Sequence, residues 1–168
     1  MLVSEHNNRI RPWDPLVDLP RLVEVDRAAG RLFAAHGLAL PEDNPVNELL
    51  AADHVLVATA PHPVGFAVLN KLDGHAHLAE LAVHPDYGRR GIGSTLLRRS
   101  RVWAEDQGYR SLTLTTFADI PWNAPFYAAR GFTEFAEADW GPGLRDQWAA
   151  EREAGIMVAP RIAMICSW

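Results

Sequence analysis

"YGRRGIGST", residues 87–95, places glycine at 88, 91 and 93 and arginine at 89 and 90. It follows the apolar run 78–83 (LAELAV). It opens a stretch in which Ile92, Leu96, Leu97, Ser100, Trp103 and Ala104 fall on one helical face. A strand, a basic glycine loop and an amphipathic helix, in that order, aim backbone N–H groups at an anion. Two nucleotide patterns fail on these residues. Gly91 and Gly93 are followed by Leu96 where a dinucleotide fingerprint needs its third glycine. Gly88, Gly93 and Thr95 match the spacing of a triphosphate loop, but Ser94 takes the lysine position, so the handle on β- and γ-phosphates is gone. A diphosphate that is gripped and not cleaved fits what is left. The plainer alternative is a turn that needs glycine for geometry alone.

Outward from the loop the chain reads as α+β. Apolar spacing predicts a short strand at 9–13, a helix from about 16 to 36 and a shorter helix at 44–52. Strands follow at 54–60, 64–71 and 75–83, the last two joined by Asp73-Gly74, a strong hairpin turn. Beyond the loop helix come a strand at 111–116, a helix near 122–130, a strand after Gly131, a helix near 143–154 and a strand near 160–166. Antiparallel hairpins first and a strand–helix–strand crossover in the middle imply a mixed sheet. The length, 168 residues, suits a single domain over 1–168.

The bulk numbers narrow the class. A net charge of −5 opposes general nucleic-acid binding, though a local basic patch can still take one small anion. No apolar run approaches the roughly 18 residues that cross a bilayer. The polar start, MLVSEHNNRIRPWD, reads as no secretory signal. The single cysteine, Cys166, excludes an internal disulfide and suits a reducing compartment, so the expected location is cytoplasmic.

"LAELAVHPDYGRRGIGSTLL" (78–97), followed by "PWNAPFYAARGF" (121–132), resembles the GNAT superfamily of acyl-CoA-dependent N-acetyltransferases. The first stretch matches the family's [QR]-x-x-G-x-[GA] loop after a Val-x-Pro strand end. The second matches its Asn, Tyr and Gly-Phe signature. The likeness covers about Arg9 to Phe132. One departure stands out: Gly88 holds the place of the family's Gln or Arg, and Arg89 the place where glycine is common. The resemblance implies a twisted mixed sheet of about six to seven strands flanked by helices, with CoA in a cleft between splayed parallel strands. It implies acetyl transfer from acetyl-CoA to a primary amine, of a small molecule or a peptide, by direct attack in a ternary complex. A non-catalytic acyl-CoA sensor on the same fold is the alternative. No metal is implied, and monomer and homodimer both stay open.

The resemblance also implies roles residue by residue. The backbone of Leu81, Ala82 and Val83 pairs with the pantetheine arm. Gly88, Arg89, Arg90, Gly91, Ile92, Gly93 and Ser94 take the diphosphate. Asn123 either contacts the cofactor or caps a helix. Tyr127 protonates the departing thiolate, against a plain core tyrosine beside Phe126. Arg130 either reaches a CoA phosphate or is solvated, as do Arg98, Arg99 and Arg101.

An amine must be neutral to attack, so a base is expected. Glu80, the lone carboxylate in an apolar strand, is the first candidate, on the face shared by Leu78 and Ala82. Asp119 and water are the others. For the acceptor pocket, Phe33, Phe117 and Trp122 are candidate walls, and Glu24, Asp26 and Asp119 candidate attractors of a cation. His75 and His77 share metal-like spacing but lack a third ligand, so a solvent-facing pair is expected. Cys166 reads as a small apolar residue of the last strand.

Overall fold

A computed structural model describes residues 9–168; the start at 1–8, read above for a secretory signal, lies outside the described residues. Seven strands form one sheet in the order β1-β2-β3-β4-β5-β7-β6. They are β1 (Arg9–Pro12), β2 (His54–Thr59), β3 (Pro63–Leu72), β4 (His75–Val83), β5 (Ser111–Phe117), β6 (Thr133–Glu134) and β7 (Arg161–Ser167). Only the β4–β5 pairing is parallel. The strand count and the mixed sheet are those the sequence implies.

Helices cover both faces. On one face α1 (Pro15–Ala35) packs Leu22 and Val25 with Val55, Val57, Phe66, Val68 and Ala82. α2 (Val46–Ala51) adds Leu49 to the same layer. On the other face α3 (Ile92–Asp106) sets Ile92, Leu96, Leu97 and Ala104 against Ala67, Leu78, Leu112 and Leu114. The short α4 (Ala124–Ala128) brings Tyr127 into that second layer. Fully burying one such Leu or Val stabilises by about 1.5–3 kcal/mol, so the two layers hold the sheet between them.

β4 departs from simple alternation. Val68 pairs with Glu80 and Leu69 with Leu78, so Ala79 is an extra residue, a β-bulge. The bulge shifts the parity of the strand. Leu78 packs toward α3, whereas Ala79 and Ala82 pack toward α1. Glu80 therefore shares a face with Ala82 but not, as alternation implied, with Leu78. Past the bulge β4 also leaves β5. Only Ala76–Leu112 and His77–Thr113 are paired, and the strands fork beyond them.

The two histidines correct the solvent-facing reading. His77 is buried, and its Nδ1 lies 2.8 Å from Thr113 Oγ1, while His75 Nδ1 bonds Ser111 Oγ. They clasp β4 to β5 below the fork. Among the described residues no group of three His, Cys, Asp or Glu side chains is placed to hold a metal.

The last helix, α5 (Pro142–Glu153), lies between β6 and β7 in the chain and is capped from a distance. Asp73, in the hairpin turn between β3 and β4, accepts from the N–H groups of Gly143 and Leu144, each at 2.8 Å. A Cβ on Gly141 would lie 2.5 Å from the Asp73 carboxyl carbon, so the approach requires glycine. A carboxylate at a helix N-terminus satisfies orphan donors and complements the dipole.

Candidate active site

The glycine loop bridges β4 and α3. Pro85–Tyr87 forms one 3₁₀ turn, and Gly91 at φ 79° is the N-cap of α3. Among the described residues no side chain caps that helix, so its first N–H groups remain for another acceptor. Arg89 has φ 59°. The exchange of glycine and arginine between positions 88 and 89 thus leaves a side chain in the left-handed region, which glycine occupies without steric cost. Gly88, Arg89, Arg90 and Gly91 are exposed, Ile92 anchors the helix in the core, and Gly93 and Ser94 are half-buried.

Arg130 ties α4 to this loop. Its Nε donates to Ser94 Oγ at 3.0 Å, its Nη1 to the Phe126 carbonyl at 2.8 Å, and the guanidinium lies 3.7 Å from the Phe126 ring centroid. A cavity of about 320 Å³ beside it is lined by Ser94, Arg98, Arg101, Arg130, Cys166 and Trp168. Arg101 is not simply solvated, since it pairs with Glu105 at 2.9 Å and stacks on Trp168. Arg99 is exposed, and Cys166 is buried in the last strand.

The fork opens into a larger cleft of about 540 Å³. Glu80 and Leu81 of β4, Thr115 and Phe117 of β5, Asn123, and Tyr127 of α4 all line it. Asn123 stands at the N-cap of α4 but makes no side-chain cap bond, so its amide is free toward the cleft. The Tyr127 hydroxyl stays protonated well past its ordinary range, because of burial first and the nearby Glu80 charge second.

Glu80 is half-buried among other carboxyls. Burial raises its pKa well above the ordinary value. A hydrogen bond and the charge of Asp26, and then the charges of Glu48 and Asp43, raise it further. Glu48 is pushed up to about 7 by burial and by the charges of Asp43 and Asp26, with a hydrogen bond from Glu80 working the other way. Glu80 and Glu48 therefore titrate as a linked pair.

Of the acceptor-side candidates, Asp26 reaches this cluster. Glu24 instead pairs with Arg21 at 3.0 Å, and Asp119 is exposed and does not line the cleft. Phe33 and Phe117 line the cleft, with ring centroids 5.6 Å apart, and Trp122 backs Phe33 at 5.4 Å. Sequence reasoning missed Glu48, Glu151 and Arg161, which come from α2, α5 and β7. The signal available was a carboxylate next to the apolar run of a short helix, Glu48 in VNELLA.

Two opposed pH terms follow. Burial holds the His77 pKa down at about 4, below the ordinary 6.5. Its contribution to stability is complete above pH 6.5 and is lost as pH falls through 4. Glu48 contributes stability below pH 4.5 that is lost as pH rises through 7. Each is on the order of 3 kcal/mol, and the two oppose each other between pH 4.5 and 6.5. Compared with the native chain, His77→Gln should lose less stability on going from pH 7 to pH 5, and Glu48→Gln less on going from pH 5 to pH 7, by urea unfolding. Parallel shifts in both variants would disprove the assignment.

The chain belongs to the acetyltransferase (GNAT) family, whose family profile matches residues 25–132. Mycothiol acetyltransferase of Rhodococcus opacus is 31% identical over 109 residues, 56% of this chain and 36% of that protein. Amino-acid acetyltransferase of Mannheimia succiniciproducens is 24% identical over 145 residues, 85% of this chain and 31% of that protein. The chain spans about a third of the length of these curated relatives. The crystal structure of PaiA N-acetyltransferase from Thermoplasma acidophilum, in complex with coenzyme A, has the same fold: TM-score 0.68 at 19% identity, over 95% of this chain and 98% of that one.

Proposed function

We propose that this chain acts as a single-domain N-acetyltransferase in the cytoplasm, moving an acetyl group from acetyl-CoA to a primary amine in a ternary complex. The observation that carries this reading is the fork. It puts Glu80 and Tyr127 in one cleft, on the strand β4 that leads into the glycine loop and on the helix α4 tied to that loop by Arg130. The acetyltransferase names of the relatives and the coenzyme A held by PaiA support it.

The residues fit the cosubstrate. Past His77 the edge of β4 facing the fork has no strand partner among the described residues, so the backbone of Leu81, Ala82 and Val83 can pair with an amide-bearing arm. The loop 88–94 offers free N–H groups to a diphosphate, with Arg89 and Arg90 adding charge. Beside Gly93 a Cβ would stand 3.6 Å from Phe126 and 3.9 Å from Val83, so the missing side chain keeps that approach open. Acetyl-CoA supplies an activated thioester carbonyl.

Glu80 takes a proton from the incoming ammonium, directly or through water, and leaves a neutral amine to attack the carbonyl carbon. Its raised pKa brings the carboxylate closer to that of an amine than an ordinary glutamate. As the carbon–sulfur bond breaks, Tyr127 gives its hydroxyl proton to the sulfur, and the proton that the acylated nitrogen must still lose restores the hydroxyl. A thiol of pKa near 8.5 leaves tolerably unaided, so this help is modest. Tyr127→Phe should keep CoA affinity within a few-fold and turn over about 10- to 100-fold more slowly, with kcat and kcat/KM falling together. Unchanged turnover would make Tyr127 a packing residue. The reading itself is tested by incubation with acetyl-CoA and a panel of amines. Acetylated amine by mass spectrometry is expected; CoA binding without any product would favour the sensor.

A further inference from the structure

The far wall of the cleft holds a buried ion pair that the reaction above does not use. Arg161 begins β7 and Glu151 lies in the last turn of α5, and their side chains are only 8% and 11% exposed. The pairing is loose. Arg161 Nη2 stands 3.5 Å from Glu151 Oε1 and 3.4 Å from Thr115 Oγ1, while Thr115 donates a short bond to Glu151 Oε1. The guanidinium lies over the Phe117 ring at 4.6 Å. Two atoms are left over. Among the described residues Arg161 Nε has no acceptor and Glu151 Oε2 has no donor, although both are buried. Folded proteins rarely leave such atoms unmatched. One donor and one acceptor side by side complement a group that itself offers both.

The remaining charge selects the class. Glu42, Asp43, Glu48, Glu80 and Glu151 line the cleft, and among the described residues that line it Arg161 is the one cation. A cationic ligand is therefore favoured. Position separates its two ends. Glu80 lies on β4, whereas the guanidinium sits over β5, across the fork. Paired strands are already about 4.8 Å apart, and these diverge. Next to the guanidinium, the unmatched Glu151 Oε2 gives an α-ammonium an acceptor of its own, which leaves Glu80 for a second amine. The reacting amine must stand on a side chain.

We propose that the acceptor is a basic amino acid, its side-chain amine reacting between Glu80 and Tyr127 while Arg161 holds its α-carboxylate and Glu151 its α-ammonium. This rests on the acetyl transfer proposed above and names its substrate class. Helix α5, fixed at its start by Asp73, delivers Glu151, so this wall is built by the segment between β6 and β7.

The test is calorimetric titration of the protein, alone and with CoA, using L-ornithine, L-lysine, putrescine, cadaverine and Nα-acetyl-lysine methylamide. The free amino acids should bind at least about tenfold more tightly than the diamines and the blocked lysine. Arg161→Gln should abolish that preference while retaining CoA affinity. Diamines binding as well as the amino acids would overturn the proposal in favour of a plain polyamine site. Blocked lysine binding equally would overturn it in favour of a peptide. So would a preference that survives in Arg161→Gln. If that variant fails to fold, the ligand series on the native chain still decides. Failure of the transferase reading has a different signature, the absence of thiol release with every amine whatever the binding preference.

Discussion

A Gly93→Val variant is expected to fold and to lose CoA binding by at least about 100-fold. Gly93 lies in the first turn of α3, where the N–H groups face outward without a cap. An added Cβ meets Phe126 at 3.6 Å and Val83 at 3.9 Å, ordinary contact distances, so the backbone need not move. Valine is also no worse in a helix than glycine. Its two γ-methyl groups, however, would fill the gap between the end of β4 and α4 through which a diphosphate must approach the amides. Gly93→Ala, one carbon smaller, should lose less. Melting curves establish folding and calorimetric titration reads affinity. Wild-type affinity in Gly93→Val would remove the diphosphate from this loop.

Glu80→Gln should lower kcat/KM for the amine by about 100-fold or more, the scale of a positioned general base. The wild-type rate should climb with pH as the raised Glu80 carboxyl ionises, and the variant should lack that limb. CoA affinity should barely change, because Glu80 faces α1 and not the loop. Stability should not fall either. Glutamine is a neutral isostere of the protonated carboxyl, in a cluster that also holds Asp26, Glu48 and Asp43. That separates lost chemistry from lost structure. An unchanged pH–rate profile would pass the base to Glu48 or to bound water.

Local chemistry made much of the fold legible. The Asp73-Gly74 turn sets the β3–β4 hairpin, and β4 runs over 75–83 as its pattern implies. Gly91 and Gly93 mark the strand-to-helix loop because close approach and positive φ leave few other residues to choose. What stayed hidden depends on partners distant in sequence. The bulge at Ala79 reverses the parity that alternation assigns to Glu80, and nothing in LAELAV announces it. His77 looked solvent-facing because its apolar surroundings come from strands on either side, and its hydrogen bond from Thr113, 36 residues on.

The site divides along the same line. Tyr127, Asn123 and Glu80 were nameable because each stands in or beside a short motif. Glu151 and Arg161 have no motif. They meet because α5 folds across the sheet, pinned by a carboxylate some 70 residues earlier in the chain. Short α4, with five residues, and β6, with two, also fall below what hydrophobic periodicity can delimit.

The most direct test of the account is stoichiometric. Purified protein is incubated with acetyl-CoA, with and without primary amines, and free thiol and acetylated amine are measured in the same samples. Thiol release that depends on the amine and equals the acetylated amine formed is the expected result. CoA that binds tightly while thiol release stays at the amine-free level with every amine would contradict it.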